Sequence, residues 1–346
     1  MLYARTREEA AQKLHAAMQK HKQGALVIGP RQTLGQFLDR WLQDSVKPTN
    51  RPRTYETYSE KARLHIVPDL GNVPLANLAP QHLQQLYAKK LEAGLAPATV
   101  NLIHVVLHRS LKQAQRSGVV GRNVAEDVDP PARTRLDGTD KALTAPQIGR
   151  LLVAMRGHRY EPLWRILLAT GLRFGEAAAL RWEDVDLNER TVAVRRSLTR
   201  VPGGYAFTPP KTARGRRIIP LPAAAAETLR THQDHQELVQ RAQASSWEPL
   251  DLVFPNSLGK PLREAPVLAA FHKVLEQAGL PRHRLHDLRH TYATRLFANN
   301  AHVRAVQELM GHSRSDMTLE IYASSVPDVL RDAAHSLEVL FQPSNL

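Results

Sequence analysis

PLWRILLATGLRFGEAAALRW, residues 162–182, contains the change of pattern from which the rest of the chain is read. Pro162 to Thr170 is apolar almost all round, which marks a helix buried on every side. Gly171 supplies the left-handed residue that can end such a helix. Arg173 and Glu176 follow, three apart, so they share a face and the carboxylate can orient the guanidinium. A buried helix thus runs straight into a charged turn.

Working outward, residues 191–198 (TVAVRRSL), 205–208 and 216–221 alternate or are β-branched and predict a short antiparallel sheet. Helices are predicted at 223–243, 264–278, 286–298, 302–310 and 316–323, with a last amphipathic helix in 327–340. LEVLFQ (337–342) matches a viral-protease recognition sequence used in tags, so 337–346 is set aside as a tag remnant. Upstream, Thr144 and Gln147 form a capping box that opens this domain, 142–336. The stretch DVDPPARTRLDGTDK (127–141) lacks apolar periodicity and reads as a linker, set at 129–141. Thr33 to Val128 is helical throughout. Its segments are Leu34–Leu42 (stopped before Pro48), Thr54–Ile66, Pro80–Ala93 and Pro97–Ser117. In the last, Val100, Ile103, Leu107, Leu111 and Ala114 make an apolar stripe, while Asn101, His104, His108, Lys112 and Gln115 make a polar one. Residues 1–28 open on a capping box at Thr6–Glu9 and read as one helix, either frayed or the remnant of a further small domain.

The whole chain has 346 residues, 47 Lys and Arg against 33 Asp and Glu, and a formal charge of +14, which points to a polyanion partner. With no cysteine, disulfides, thiolate nucleophiles and Cys-based zinc sites are excluded, and a reducing, cytoplasmic setting is expected. No apolar run approaches the roughly 20 residues that span a bilayer. No P-loop, no HExxH and no paired carboxylates for a two-metal nuclease are present. His286 and His290 permit a metal pair four apart on a helix, without a third ligand nearby.

What remains is basic and phenolic. Arg173, Lys211, His286 with Arg289, His312 and Tyr322 occur in that order. Taken singly, each has a plain explanation as a salt bridge, a solvated turn, a helix cap or a core ring. Taken together, the segments that carry them resemble the tyrosine recombinases, the phage integrase family. The boxes are ATGLRFGEAAALRW (169–182), PPKTARGRRIIPL (209–221), LHDLRHTYAT (285–294) and LMGHSRSDMTLEIY (309–322). The likeness covers about 143–325 and extends more weakly over 33–128. Two departures are slight: Asn299-Asn300 stands where the family often has glycine, and Met310 replaces a common leucine.

The resemblance implies a mainly α protein: a helical core-binding domain plus an α-rich catalytic domain with a small antiparallel sheet, closing as a C-shaped clamp on double-stranded DNA. It makes 1–28 similar to the tail of an arm-binding domain. It implies catalytic roles for Arg173, Lys211, His286, Arg289, His312 and Tyr322, with Glu176 in support. Thr54, Lys61, Asn101 and Arg214 are expected at the DNA. No cofactor is expected. The partners implied are a homotetramer on two sites and an accessory DNA-bending or excision protein. The physics agrees: two arginine forks can neutralise charge building on phosphate oxygens, and a phenol with a pKa near 10 needs a base or a positive field. Open alternatives are a chromosome-dimer-resolving recombinase, a type IB topoisomerase, a catalytically silent DNA-binding protein and a metal hydrolase built on the two histidines.

Overall fold

The computed structural model describes residues 32–132 and 142–311, apart from 202, 211 and 244, together with Thr6, Glu8 and Glu9. The chain divides into two compact units, Met1–Thr134 and Arg135–Leu346. The helices predicted at 316–323 and 327–340, Lys211, His312 and Tyr322 lie outside the described residues, as does most of 1–28. At Thr6 the hydroxyl accepts from the Glu9 N–H at 3.2 Å, half of the expected capping box.

The first unit is helical. Its helices are α1 (Leu34–Trp41), α2 (Pro52–Lys61), α3 (Pro80–Glu92) and α4 (Pro97–Arg116). Thr33 and Gln36 cap α1 reciprocally, and the next two N–H groups, of Leu34 and Gly35, donate to the carbonyls of Val73 and Gly71 at 2.9 Å. Leu34, Leu38, Ile66, Leu83, Ile103, Leu107 and Leu111 are wholly buried and make the core. Burial of each such side chain contributes roughly 1.5–3 kcal/mol.

The helix expected to stop before Pro48 runs through it, and the next helix runs through Pro68 in the same way. The α1 segment continues through a π turn at Leu42–Val46 into Lys47–Thr49, and α2 continues through a π turn at Ala62–Ile66 into Val67–Leu70. In each, the residue before the proline donates five residues back, Lys47 to Leu42 and Val67 to Ala62. The widened turn carries the carbonyl four residues back away from the ring of Pro48 or Pro68, which an α-helix would drive into it.

The second unit contains α5 (Ala145–Ala154), α6 (Glu161–Thr170), α7 (Phe174–Ala177), α8 (Ala223–Ala242), α9 (Glu264–Gln277), α10 (Leu285–Ala298) and α11 (Val303–Met310). The predicted bounds hold to within one residue for α6, α8, α9, α10 and α11. The helix expected to be buried all round, α6, is buried at Leu163, Trp164, Ile166, Leu167 and Thr170 and partly open at Arg165; it lies against α10 and α8, and Trp164 sits beside Phe271 at 5.5 Å between ring centres. Asn300 adopts the left-handed conformation, φ 57°, in the turn where glycine is common in the resembling family.

The single sheet expected is two. β1 (Val185–Asp186), β2 (Thr191–Val194) and β5 (Arg217–Pro220) form an antiparallel sheet in the order β1-β2-β5, with Val192 opposite Ile219. β3 (Ser197–Val201) and β4 (Gly204–Thr208) form a separate hairpin. The run 191–198 splits at Arg195-Arg196 because both arginines turn to buried Asp184, at 3.6 and 3.3 Å, and Arg196 also reaches Glu183 at 2.7 Å.

Candidate active site

The site begins where α6 stops. Gly171 takes φ 62°, and a Cβ there would stand 2.5 Å from Cδ1 of Tyr292, so both the backbone and the space demand glycine. The turn leaves Arg173 as the residue that caps α7, and the Glu176 carboxylate accepts from its backbone N–H at 3.1 Å and from its Nη1 at 2.7 Å. Glu176 is buried, while the Arg173 side chain keeps 38% of its surface open to solvent. The expected pair is therefore formed, with the guanidinium presented outward.

A second arginine shares that carboxylate. Arg217, at the start of β5, donates from Nη2 to Glu176 Oε2 at 2.9 Å. Burial works to raise the Glu176 carboxyl, and the attraction of Arg217 and Arg173 outweighs it, so its pKa is lowered. Arg289, on α10, is buried and donates to the carbonyls of Gly171 and Met310. Its Nε is buried and, among the described residues, has no hydrogen-bond partner. Burial, then the charge of Arg173, lowers the Arg289 pKa to about 9, which leaves it charged at neutral pH.

The end of α11 closes the arrangement. Gly311 caps it at φ 60°, and a Cβ there would lie 3.0 Å from both the Arg214 carbonyl oxygen and Arg217 Nη1. The last carbonyls of a helix lack partners within it, and here Leu309 accepts from Arg217 Nε at 2.6 Å while Met310 accepts from Arg289. Position 312 therefore follows a corner held by two arginines.

His286, at the start of α10, feels Arg173 and Arg289 electrostatically. By surface area it is exposed, yet the protein crowds it closely enough that burial is the first cause lowering its pKa, to about 4. The charges of His290, Arg289, Arg173 and Arg284 push the same way, so the ring is neutral at pH 7 on either account. The His286 and His290 rings meet edge to face, 5.3 Å apart. Among the described residues no group of three or more His, Asp or Glu is placed to hold a metal.

The structure thus brings together Arg173, Glu176, Arg289 and His286. Composition does not single out Arg217 among Lys211, Arg214, Arg216 and Arg217 in PPKTARGRR; the alternation into β5, Arg216 out and Arg217 in, is the signal that distinguishes it. Of the residues expected at DNA, Arg214 is exposed, Thr54 is half-buried on α2 and the Lys61 ammonium rests on Glu60 at 2.7 Å. Asn101 is a correction. It is buried, and its amide is spent on the carbonyls of Pro97 and Pro131 at 3.0 and 2.6 Å. The polar stripe of α4 is not a free face from Asn101 to His108, because other parts of the unit cover it: His104 meets Tyr87 at 3.0 Å and His108 lies 3.7 Å from Glu126.

Comparison with known proteins agrees with this geometry. Residues 141–328 match the phage integrase family, and residues 33–91 match the phage integrase N-terminal SAM-like domain. A tyrosine recombinase XerC-like protein of Caldanaerobacter subterraneus is 26% identical over 357 residues, spanning 98% of this chain and 91% of the relative. An integrase of Streptomyces ambofaciens is 28% identical over 354 residues, spanning 98% and 88%. The Tn1549 transposon integrase, solved with transposon right end DNA, shares the fold at a TM-score of 0.76 and 22% identity, over 90% of this chain and all of that one. With more than half of its length matched, the chain belongs to the phage integrase family, the tyrosine-type site-specific recombinases, and is by that membership a DNA strand transferase.

Proposed function

We propose that this recombinase is the integrase of a mobile element, cutting and rejoining double-stranded DNA through a 3′-phosphotyrosine. The observation that carries the reading is the cluster of Arg173, Arg217 and Arg289 around one buried carboxylate. Three guanidiniums against one carboxylate leave net positive charge, and a phosphodiester in attack develops negative charge on its non-bridging oxygens. The Tyr322 oxygen attacks phosphorus, its proton passes to His286, and the bond from phosphorus to the 5′-oxygen breaks as Lys211 protonates that oxygen. His312 donates a hydrogen bond to the phosphate. The phosphotyrosine conserves the bond energy, so a 5′-hydroxyl reverses the steps without ATP. Four protomers on two sites and an accessory DNA-bending or excision protein complete the proposal. Sequence likeness to the Streptomyces ambofaciens integrase supports the integrase role.

The test is strand exchange between two duplexes drawn from DNA flanking the gene. Recombinant duplexes are expected. Relaxation of supercoiled DNA without exchange supports the topoisomerase reading instead, and binding with neither supports the silent binder.

The His286 assignment makes a separate prediction. A base whose pKa is about 4 stays neutral as pH falls from 8 to 5, so the cleavage rate of free enzyme on limiting DNA should stay flat there. An ordinary histidine would give a roughly 30-fold fall by pH 5, centred near 6.5. Single-turnover rates across that range decide between them, and a fall centred near 6.5 removes His286 as the base of the unbound enzyme.

A further inference from the structure

We infer that Arg217 is a positioning residue for strand cleavage, tying Arg173 to the corner that precedes His312; the inference rests on the recombinase reading above. An ordinary structural ion pair links two segments. Arg217 uses all three of its nitrogens on three. Nη2 and Nη1 face Glu176 of α7 at 2.9 and 3.4 Å, Nη1 also donates to Gly215 O at 3.1 Å, and Nε donates to Leu309 O of α11 at 2.6 Å. Each segment adjoins a residue assigned to the reaction. Glu176 holds Arg173, Gly215 ends the turn that follows Lys211 in the chain, and Leu309 stands three residues before His312.

How the carboxylate is shared gives Arg217 its effect on Arg173. Glu176 Oε2 accepts from the Arg173 backbone and, at 2.9 Å, from Arg217 Nη2, while Oε1 takes Arg173 Nη1 at 2.7 Å and Arg217 Nη1 at a longer 3.4 Å. With Arg217 occupying the second oxygen, the Arg173 side chain makes one contact with the carboxylate instead of a two-pronged one. The rest of its fork stays presented to solvent, where a phosphate would come. Without Arg217, the carboxylate is open to a bidentate grip from Arg173, which draws that guanidinium back. The Arg217 side chain is 6% exposed and Glu176 4%, so water does not substitute for it. A lysine at 217 keeps the charge but, as a point donor, cannot reach Glu176, Gly215 and Leu309 together.

The test uses the full chain with R217K, R217Q, R173K and the double variant R173K/R217K, all assayed below their melting midpoints. R217Q retains a donor for the Leu309 carbonyl and serves if R217K does not fold. Two readouts are taken: single-turnover covalent capture on nicked duplex at saturating protein, and the Arg173 Nε–Hε NMR signal without DNA, assigned by its loss in R173K. The expected result is a fall of about 30-fold in capture by R217K, DNA affinity within about twofold of the parent, and a shifted Arg173 signal. In the R173K background the same substitution should cost no more than about threefold, since its effect passes through Arg173. A residue that only holds the fold gives multiplying losses and an unmoved Arg173 signal, and that result overturns the inference. If the parent chain captures no DNA, the recombinase reading and the role in cleavage fail together, and the Arg173 signal decides only whether Arg217 positions Arg173: moved by R217K, that hold stands; unmoved, it falls as well.

Discussion

Replacing Tyr322 by phenylalanine should abolish the denaturant-resistant protein–DNA complex and leave DNA binding unchanged. The substitution removes one oxygen. It keeps the ring and adds no charge, so the electrostatic attraction to the phosphate backbone, which dominates affinity, is untouched. The proposed nucleophile is lost outright, and loss of a group that forms the covalent bond typically costs at least about 10⁴-fold. The measurement is a denaturing gel of protein mixed with nicked duplex, beside a binding curve at fixed salt. A complex of undiminished yield with the phenylalanine variant would assign the covalent bond to another residue and remove Tyr322 from the mechanism.

The largest effect on stability should come from Glu176. Glu176→Ala deletes the one carboxylate between Arg173 and Arg217, leaving a buried guanidinium without its counter-charge and two like charges facing one another. Breaking a buried pair from one side costs about 3–5 kcal/mol, which in a domain of this size lowers the melting midpoint by roughly 10 °C. A fall of less than about 2 °C would mean that the arginines relax into water and that the triad is not rigid. The same carboxylate gives a pH signature. Its folded-state pKa is lowered from 4.5, so its contribution is fully present above that value and is lost as pH falls through the lower folded value. Glu176→Gln should therefore flatten the acid limb of the stability curve below about pH 4.5 relative to the parent. An unchanged acid limb would place the titrating group elsewhere.

Much of this site could be read from the sequence because its parts are local. A buried apolar helix, a glycine and an Arg–Glu pair three apart specify the 162–176 corner by themselves, and the structure forms it as expected. Helix starts expected at 80, 97, 286 and 302 likewise fall on or within one residue of those observed, the first two at prolines. What failed to show was non-local. Arg217 becomes a site residue only when β5 brings it against α7 and α11, 41 and 92 residues away along the chain. Asn101 sits on the polar side of its helix by period, and only the returning chain at Pro131, 30 residues on, turns that side into an interior. The break at Arg195-Arg196 depends on buried Asp184, whose side chain no periodicity foretells.

The two π turns carry a consequence for how this unit can change over generations. Each is an α-helix with one residue too many, and each precedes a proline that an unexpanded helix would reject. Deleting one residue from 42–46 while keeping Pro48 would set the ring against a backbone carbonyl. Replacing Pro48 while keeping the extra residue would leave a wide turn with nothing to justify its poorer hydrogen bonds. Each change alone should cost more than both together, so the insertion and the proline are expected to be kept or lost jointly. Pro68 and the residue count of 62–66 form a second such pair, and alignments that place a gap in either stretch should show the proline gone from the same sequence.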